Sequence, residues 1–96
     1  MYRLIYMKAD YEPWWQFEGW QEHIVEAYCF DTKEACEEAL QKKVTQFRQQ
    51  YVHEMKKHEK YYAFWSEDEV EYCEACEDDT QMYHGLFIEQ VSYIPT

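Results

Sequence analysis

The sequence predicts an α+β fold, a mainly antiparallel sheet of about five strands with one long helix packed on one face. Three observations carry that expectation. Short runs rich in Tyr, Phe, Val and Ile recur along the chain. One segment, from Asp31 to about Tyr51, instead places apolar residues every three or four positions. The chain has 96 residues, 47% hydrophobic and 20% aromatic, with only two Gly and two Pro. That excludes a disordered or linker-rich chain, and a second core of ordinary size would not fit, so residues 1–96 read as a single α+β domain.

Tyr2 to Ala9 reads as the first strand. Leu4 and Tyr6 fall on one face and Ile5 and Met7 on the other, which suits a strand covered on both sides. Asp10 to Gly19 reads as irregular, because Pro13 disfavours helix at Glu12 and Gly19 offers a turn. Trp14, Trp15, Phe17 and Trp20 crowd four large aromatics into seven positions there. Rings at this density either fold back as a lid on the sheet or stand out toward a partner. Mutual burial favours the lid, and the same four residues are the candidate contact surface.

Gln21 to Phe30 reads as the second strand, with Val25, Ala27 and Cys29 on one face and Ile24, Glu26, Tyr28 and Phe30 on the other. Asp31 is placed to cap a helix, with Glu34 at capping-box spacing. Cys36, Leu40, Val44, Phe47 and Tyr51 form its apolar stripe. His53 to Lys60 reads as a polar connection or a frayed helical end, and Lys60 to Trp65 as the third strand. Ser66 to Glu69 makes an acidic turn and Val70 to Cys73 a fourth strand. Glu77 to Gly85 reads as one or two helical turns, with acids at the start, His84 at the end and Gly85 at the stop. Leu86 to Glu89 is the fifth strand, which Val91 to Ile94 extend or pair with.

Twenty acids against nine bases give a net charge of −11, which repels nucleic acid and anionic membranes at long range. The charge is uneven: −6 over residues 1–40, +4 over 41–60 and −9 over 61–96. The basic middle either offsets acidic faces within the fold or meets a phosphate backbone through Lys42, Lys43, Arg48, Lys56, Lys57 and Lys60, with Tyr61 or Tyr62 stacking. No run approaches the about 20 apolar residues that span a bilayer, and the first residues lack signal-peptide character. The expected location is the cytoplasm, where the four cysteines stay reduced.

Cys73-x-x-Cys76, with His84 downstream, is the motif with the most chemistry in it. A two-residue gap lets one turn present two thiolates to zinc, and His84 is the third candidate ligand. No second Cys-x-x-Cys pair supplies a fourth, for which Cys29, Cys36, His23, His53 and His58 are the candidates. Cys29 and Cys36 read as packing residues, and His53 and His58 as solvated. Thiol redox chemistry is the alternative. Glu71, Glu74, Glu77, Asp78 and Asp79 surround the pair, and their field disfavours thiolate while attracting a cation. No nucleophile elbow, phosphate loop or His-Glu-x-x-His motif is present.

The blocks Glu12-Pro13-Trp14-Trp15, Glu18-Gly19-Trp20, Ala63-Phe64-Trp65, Tyr72-Cys73-x-x-Cys76 and Tyr83-His84-Gly85 resemble a family of small uncharacterised proteins of low-GC Gram-positive bacteria, domain of unknown function 1033. The resemblance spans nearly the whole chain. It implies a cytosolic protein with no established activity, and it marks the tryptophan loop, Cys73, Cys76 and His84 as family features. Cys29 and Cys36 fall outside its pattern. The expected function is therefore a non-enzymatic, cytoplasmic binding or regulatory domain with a protein partner and no membrane. Nucleic-acid association and thiol redox chemistry are the alternatives.

Overall fold

Among the described residues seven strands and one α-helix follow one another: β1 (Tyr2–Ala9), β2 (Ile24–Phe30), α1 (Lys33–Gln50), β3 (His53–Lys57), β4 (Tyr61–Trp65), β5 (Val70–Cys73), β6 (Asp78–Gln81) and β7 (Tyr83–Gln90). The computed structural model describes residues 1–73 and 78–90, without the side chains of Cys73 and Asp78. Five strands form one antiparallel sheet in the order β2-β1-β7-β4-β3, while β5 and β6 form a separate two-stranded ribbon. The last of the described strands, β7, is thus the centre of the sheet. It pairs with β1 from Tyr2↔Gln90 to Ala9↔Tyr83, and with β4 from Tyr62↔Leu86 to Phe64↔His84.

Both faces of the sheet are covered, as the apolar residues on both parities of β1 require. On one face Leu4, Tyr62, Phe64 and Leu86 meet Cys36, Leu40, Val44 and Phe47 of α1, and Tyr51 packs half-buried at the edge. On the other, Ile5, Met7, Ala9 and Phe87 pack under Trp20, with Tyr11, Ile24 and Tyr61 around them. The helix forms where its stripe places it. Its cap is Thr32 rather than Asp31: Thr32 is extended (φ −120°, ψ 152°) and its Oγ1 accepts from the Ala35 N–H at 3.2 Å.

Four further expectations are corrected. The second strand starts at Ile24, because Trp20–His23 form a 3-10 turn. Its register with β1 slips between Tyr6↔Glu26 and Met7↔Ile24, leaving Val25 as the extra residue of a bulge. Ile24 therefore shares the face of Ala27 and Cys29 rather than that of Tyr28. The polar stretch from His53 is the edge strand β3, joined to β4 by a turn in which His58 (φ 56°) and Glu59 (φ 54°) both take the left-handed conformation and Lys60 N–H donates to Lys57 O at 3.2 Å. Such turns usually announce themselves with Asn or Gly, and this one does not.

The fourth correction concerns the expected helical turns over Glu77 to Gly85, of which Glu77 lies outside the described residues. Asp78–Gln81 is β6, which pairs with β5 from Val70↔Gln81 to Cys73↔Asp78, and Tyr83 already belongs to β7. Gly85 lies inside the central strand and stops nothing. Acids, a histidine and a glycine met the helix dipole rules locally, but pairing with β1, β4 and β5 outweighs propensity of that size. The expected continuation at Val91–Ile94 lies outside the described residues.

Glu59→Gly relieves one of the two left-handed positions, so it is expected to raise unfolding stability by about 1 kcal/mol. A higher urea midpoint at unchanged m checks it; a lower midpoint would mean that the turn is not strained.

Candidate functional site

Two constellations stand back to back on β7. Successive residues of a strand point to opposite faces, so His84 faces the helix and Gly85 faces the aromatic loop.

The loop is seated at Gly85. Pro13 is fully buried there, and a Cβ on Gly85 would come within 2.6 Å of Pro13 Cβ and 2.8 Å of its Cγ. Trp20 closes the same face, 9% exposed, with its ring 5.5 Å from that of Phe87. Between these anchors the chain is tied by Trp20 N–H to Phe17 O (2.9 Å) and Glu22 N–H to Gly19 O (3.0 Å), with Gln16 (φ 38°) and Gly19 (φ 85°) turning the backbone. Glu12 accepts from the Trp15 indole N–H at 2.8 Å. It also faces Tyr83, whose hydroxyl is held above its ordinary pKa first by burial and then by the Glu12 charge.

The four aromatics therefore divide. Trp20 is the lid and Trp14 is half-buried, whereas Trp15 and Phe17 are 52% and 53% exposed. Trp15 and Phe17 stack in parallel, 3° between planes and 6.0 Å between centroids, and Tyr11 meets Phe17 edge-on at 4.9 Å. Lys57 reaches over from β3 and sets its ammonium 5.3 Å from the Trp14 ring and 5.8 Å from the Trp15 ring, within cation–π range.

Across the sheet His84 is 3% exposed and fully hydrogen-bonded. Its Nε2 lies 2.5 Å from Glu69 Oε1, and its Nδ1 lies 2.6 Å from the Tyr6 hydroxyl. The Tyr51 hydroxyl lies 3.4 Å from the same Nδ1, so one ring nitrogen meets a carboxylate and the other two phenol hydroxyls. Tyr51 stacks on the imidazole at 4.3 Å, and Phe47 meets it edge-on at 6.2 Å. Burial pushes the Tyr6 hydroxyl well above the ordinary tyrosine range, and the nearby Tyr51 and Glu69 add to it; burial and then Glu69 also raise Tyr51. Nothing local in the sequence joins Tyr6, Tyr51, Glu69 and His84, which are far apart along the chain.

A metal at His84 would have to displace Tyr6 or Glu69. Cys76 and the Cys73 side chain lie outside the described residues; among the described residues no group of three or more His, Cys, Asp or Glu could hold a metal ion. Cys36 is buried on the helix stripe, with its thiol pKa raised first by burial, but Cys29 is exposed on β2 and is not a core residue. His53 is tied down, stacked on Trp65 at 5.3 Å and 2.8 Å from Glu67, while His58 sits exposed in the β3–β4 turn.

The basic residues do not form one stripe. Lys42 pairs with Glu38, Lys43 with Glu26 at 3.2 Å, and Arg48 grips both oxygens of Glu54 at 2.6 and 3.0 Å. Lys56 lies over Tyr62 on the helix side, Lys57 over the tryptophans on the other side, and Lys60 over Tyr61. With Arg3–Glu89, Lys8–Glu71 and Lys33–Glu37, each of the nine bases has a carboxylate or an aromatic ring as an internal partner. A groove of about 620 Å³ beside α1 is lined by Tyr2, Leu40, Tyr62 and Ile88 with Lys33 and Lys56 at its rim.

The whole chain, residues 1–96, matches the family described as "Protein of unknown function (DUF1033)", and the chain belongs to that family. No curated protein and no solved structure matches it. No helix among the described residues is long and apolar enough to cross a membrane.

Two substitutions test these constellations. Gly85→Ala drives a methyl group into Pro13, so it is expected to cost about 1–3 kcal/mol in urea unfolding and to expose Trp20 to acrylamide quenching. Tyr6→Phe removes the hydroxyl from His84 and is expected to cost about 1 kcal/mol at neutral pH. Because the folded state holds the Tyr6 proton, its stabilising contribution is complete below the ordinary tyrosine value of 10.0 and is lost as pH rises above it. Tyr6→Phe should therefore flatten the alkaline fall of the urea midpoint, and an unchanged alkaline limb would contradict this assignment.

Proposed function

For this member of the DUF1033 family we propose a non-enzymatic binding or regulatory role in the cytoplasm, with a protein partner that docks on the aromatic loop. The observation that carries it is the stacked, half-exposed pair Trp15 and Phe17 on a loop that is otherwise pinned to the sheet. A free loop would bury such rings against its own core; here Pro13 and Trp20 fill that place, and Glu12 holds the Trp15 indole outward. Rigid aromatic rings lose little conformational entropy on binding, and side chains of this kind dominate protein interfaces. Trp14 and Trp20 then act as the floor and anchor of the surface.

A nucleic-acid role for Lys42, Lys43, Arg48, Lys56, Lys57 and Lys60 has less support. Those side chains have internal partners, and Lys56 and Lys57 point to opposite faces of the sheet. Zinc at Cys73, Cys76 and His84 gains nothing from His84, whose two ring nitrogens are occupied. Thiol redox chemistry has no support from Cys36, whose buried thiol is hard to ionise.

Partners captured on the wild-type protein should be purified and titrated by calorimetry against Trp15→Ala/Phe17→Ala. The double variant is expected to keep its unfolding midpoint and to bind at least about 100-fold more weakly. Equal affinity for the two proteins would contradict the proposal. Retention on DNA at low salt that vanishes on neutralising Lys56, Lys57 and Lys60 would favour the nucleic-acid reading.

A further inference from the structure

The loop that displays Trp15 and Phe17 is one-sided in charge. Between Asp10 and Glu22 it carries Asp10, Glu12, Glu18 and Glu22 and no Lys or Arg. Glu12 is engaged by Trp15 and Tyr83, but Asp10, Glu18 and Glu22 are exposed and have no ion-pair partner among the described residues. The chain has no spare cation to supply one. Six of its nine bases are in ion pairs with carboxylates elsewhere, and the other three lie over rings.

The rings themselves accept a cation. Lys57 already places its ammonium over Trp14 and Trp15, which demonstrates both the approach and its geometry within this fold. Phe17 and the exposed part of Trp15 offer further π-surface, and the exposed Glu18 follows Phe17 in the chain. A planar cation suits this combination best, since a guanidinium stacks on an aromatic face while its edge meets a carboxylate through two parallel hydrogen bonds. An ammonium can also meet both, as Lys43 does between the Tyr28 ring and Glu26, but it neither stacks flat nor offers a paired fork of donors.

We infer that the aromatic loop recognises an arginine-bearing segment of its protein partner, with guanidinium groups stacked on Trp15 and Phe17 and held by Glu18 and Glu22. This rests on the proposed contact surface and names the chemistry of what binds there. The recognition differs from simple attraction to a chain of charge −11, because it requires the rings and the loop acids together.

The test titrates the intact protein with capped Arg-Gly, Lys-Gly and Glu-Gly repeat peptides of equal length, following tryptophan fluorescence at low salt. The Arg-Gly peptide is expected to bind, the Lys-Gly peptide to bind about fivefold or more weakly, and the Glu-Gly peptide not at all. Glu18→Gln/Glu22→Gln and, separately, Trp15→Ala/Phe17→Ala should each weaken Arg-Gly binding about tenfold. Glu37→Gln/Glu38→Gln, on the helix, should leave it within about twofold. No binding of the Arg-Gly peptide, or equal weakening by the loop and helix acid variants, would overturn the inference. A partner bound through Trp15 and Phe17 in spite of that result would leave the contact surface standing and remove only its arginine chemistry.

Discussion

Gly85 has no side chain, and the arrangement of the loop face follows from that. It sits on the strand at the centre of the sheet, where any Cβ would occupy the place taken by the Pro13 ring. With Pro13 seated, the chain between β1 and β2 lies flat against the sheet and Trp20 can reach Phe87. The loop's inner residues then satisfy the apolar face of Ile5, Met7 and Ala9, which leaves Trp15 and Phe17 with no core to enter. One residue earlier on the same strand, His84 performs the opposite task. It fills the helix face with a polar ring and is satisfied there by Tyr6 and Glu69. A buried imidazole with both nitrogens bonded costs little, whereas one left unpaired would cost about 1–3 kcal/mol.

Charge follows a similar division of labour. A chain of −11 with nine bases could have grouped them into a patch. It spreads them instead, tying helix α1 to β2 through Lys43–Glu26, joining the helix end to β3 through Arg48–Glu54, and bracing the tryptophans with Lys57. Exposed pairs of this kind add little stability each. Their larger effect is to use up the positive charge, so the surface presented to other molecules is acidic and, around the loop, aromatic.

Much of the fold was legible in the sequence. The two-parity pattern of β1, the helix stripe from Cys36 to Phe47 and the strand Tyr61–Trp65 rest on periodicity, which burial enforces directly. The misses have physical causes. Edge strand β3 was hidden because its turn uses His58 and Glu59 where glycine or asparagine is the usual signal. The stretch before β7 read as helix because the same acids, histidine and glycine suit a helix terminus, while their actual roles depend on β1, β4, β5 and Pro13. The bulge at Val25, which moves Ile24 to the other face, leaves no mark in composition. Of the candidate site, the aromatic loop was legible as a unit, but its division into anchor and displayed pair depends on Gly85, 65 positions beyond Trp20. The Tyr6–His84–Glu69 cluster carried no local signal, since the thiols of Cys73 and Cys76 were the nearer partners in sequence.

Hydroxyl-radical footprinting of the native protein, read by mass spectrometry, tests the central claim most directly. If Pro13 and Trp20 anchor the loop so that it must display its other rings, Trp15 and Phe17 will label rapidly while Trp20, like the core residue Phe87, is protected. Equal labelling of Trp15 and Trp20, whether both fast or both slow, would contradict it.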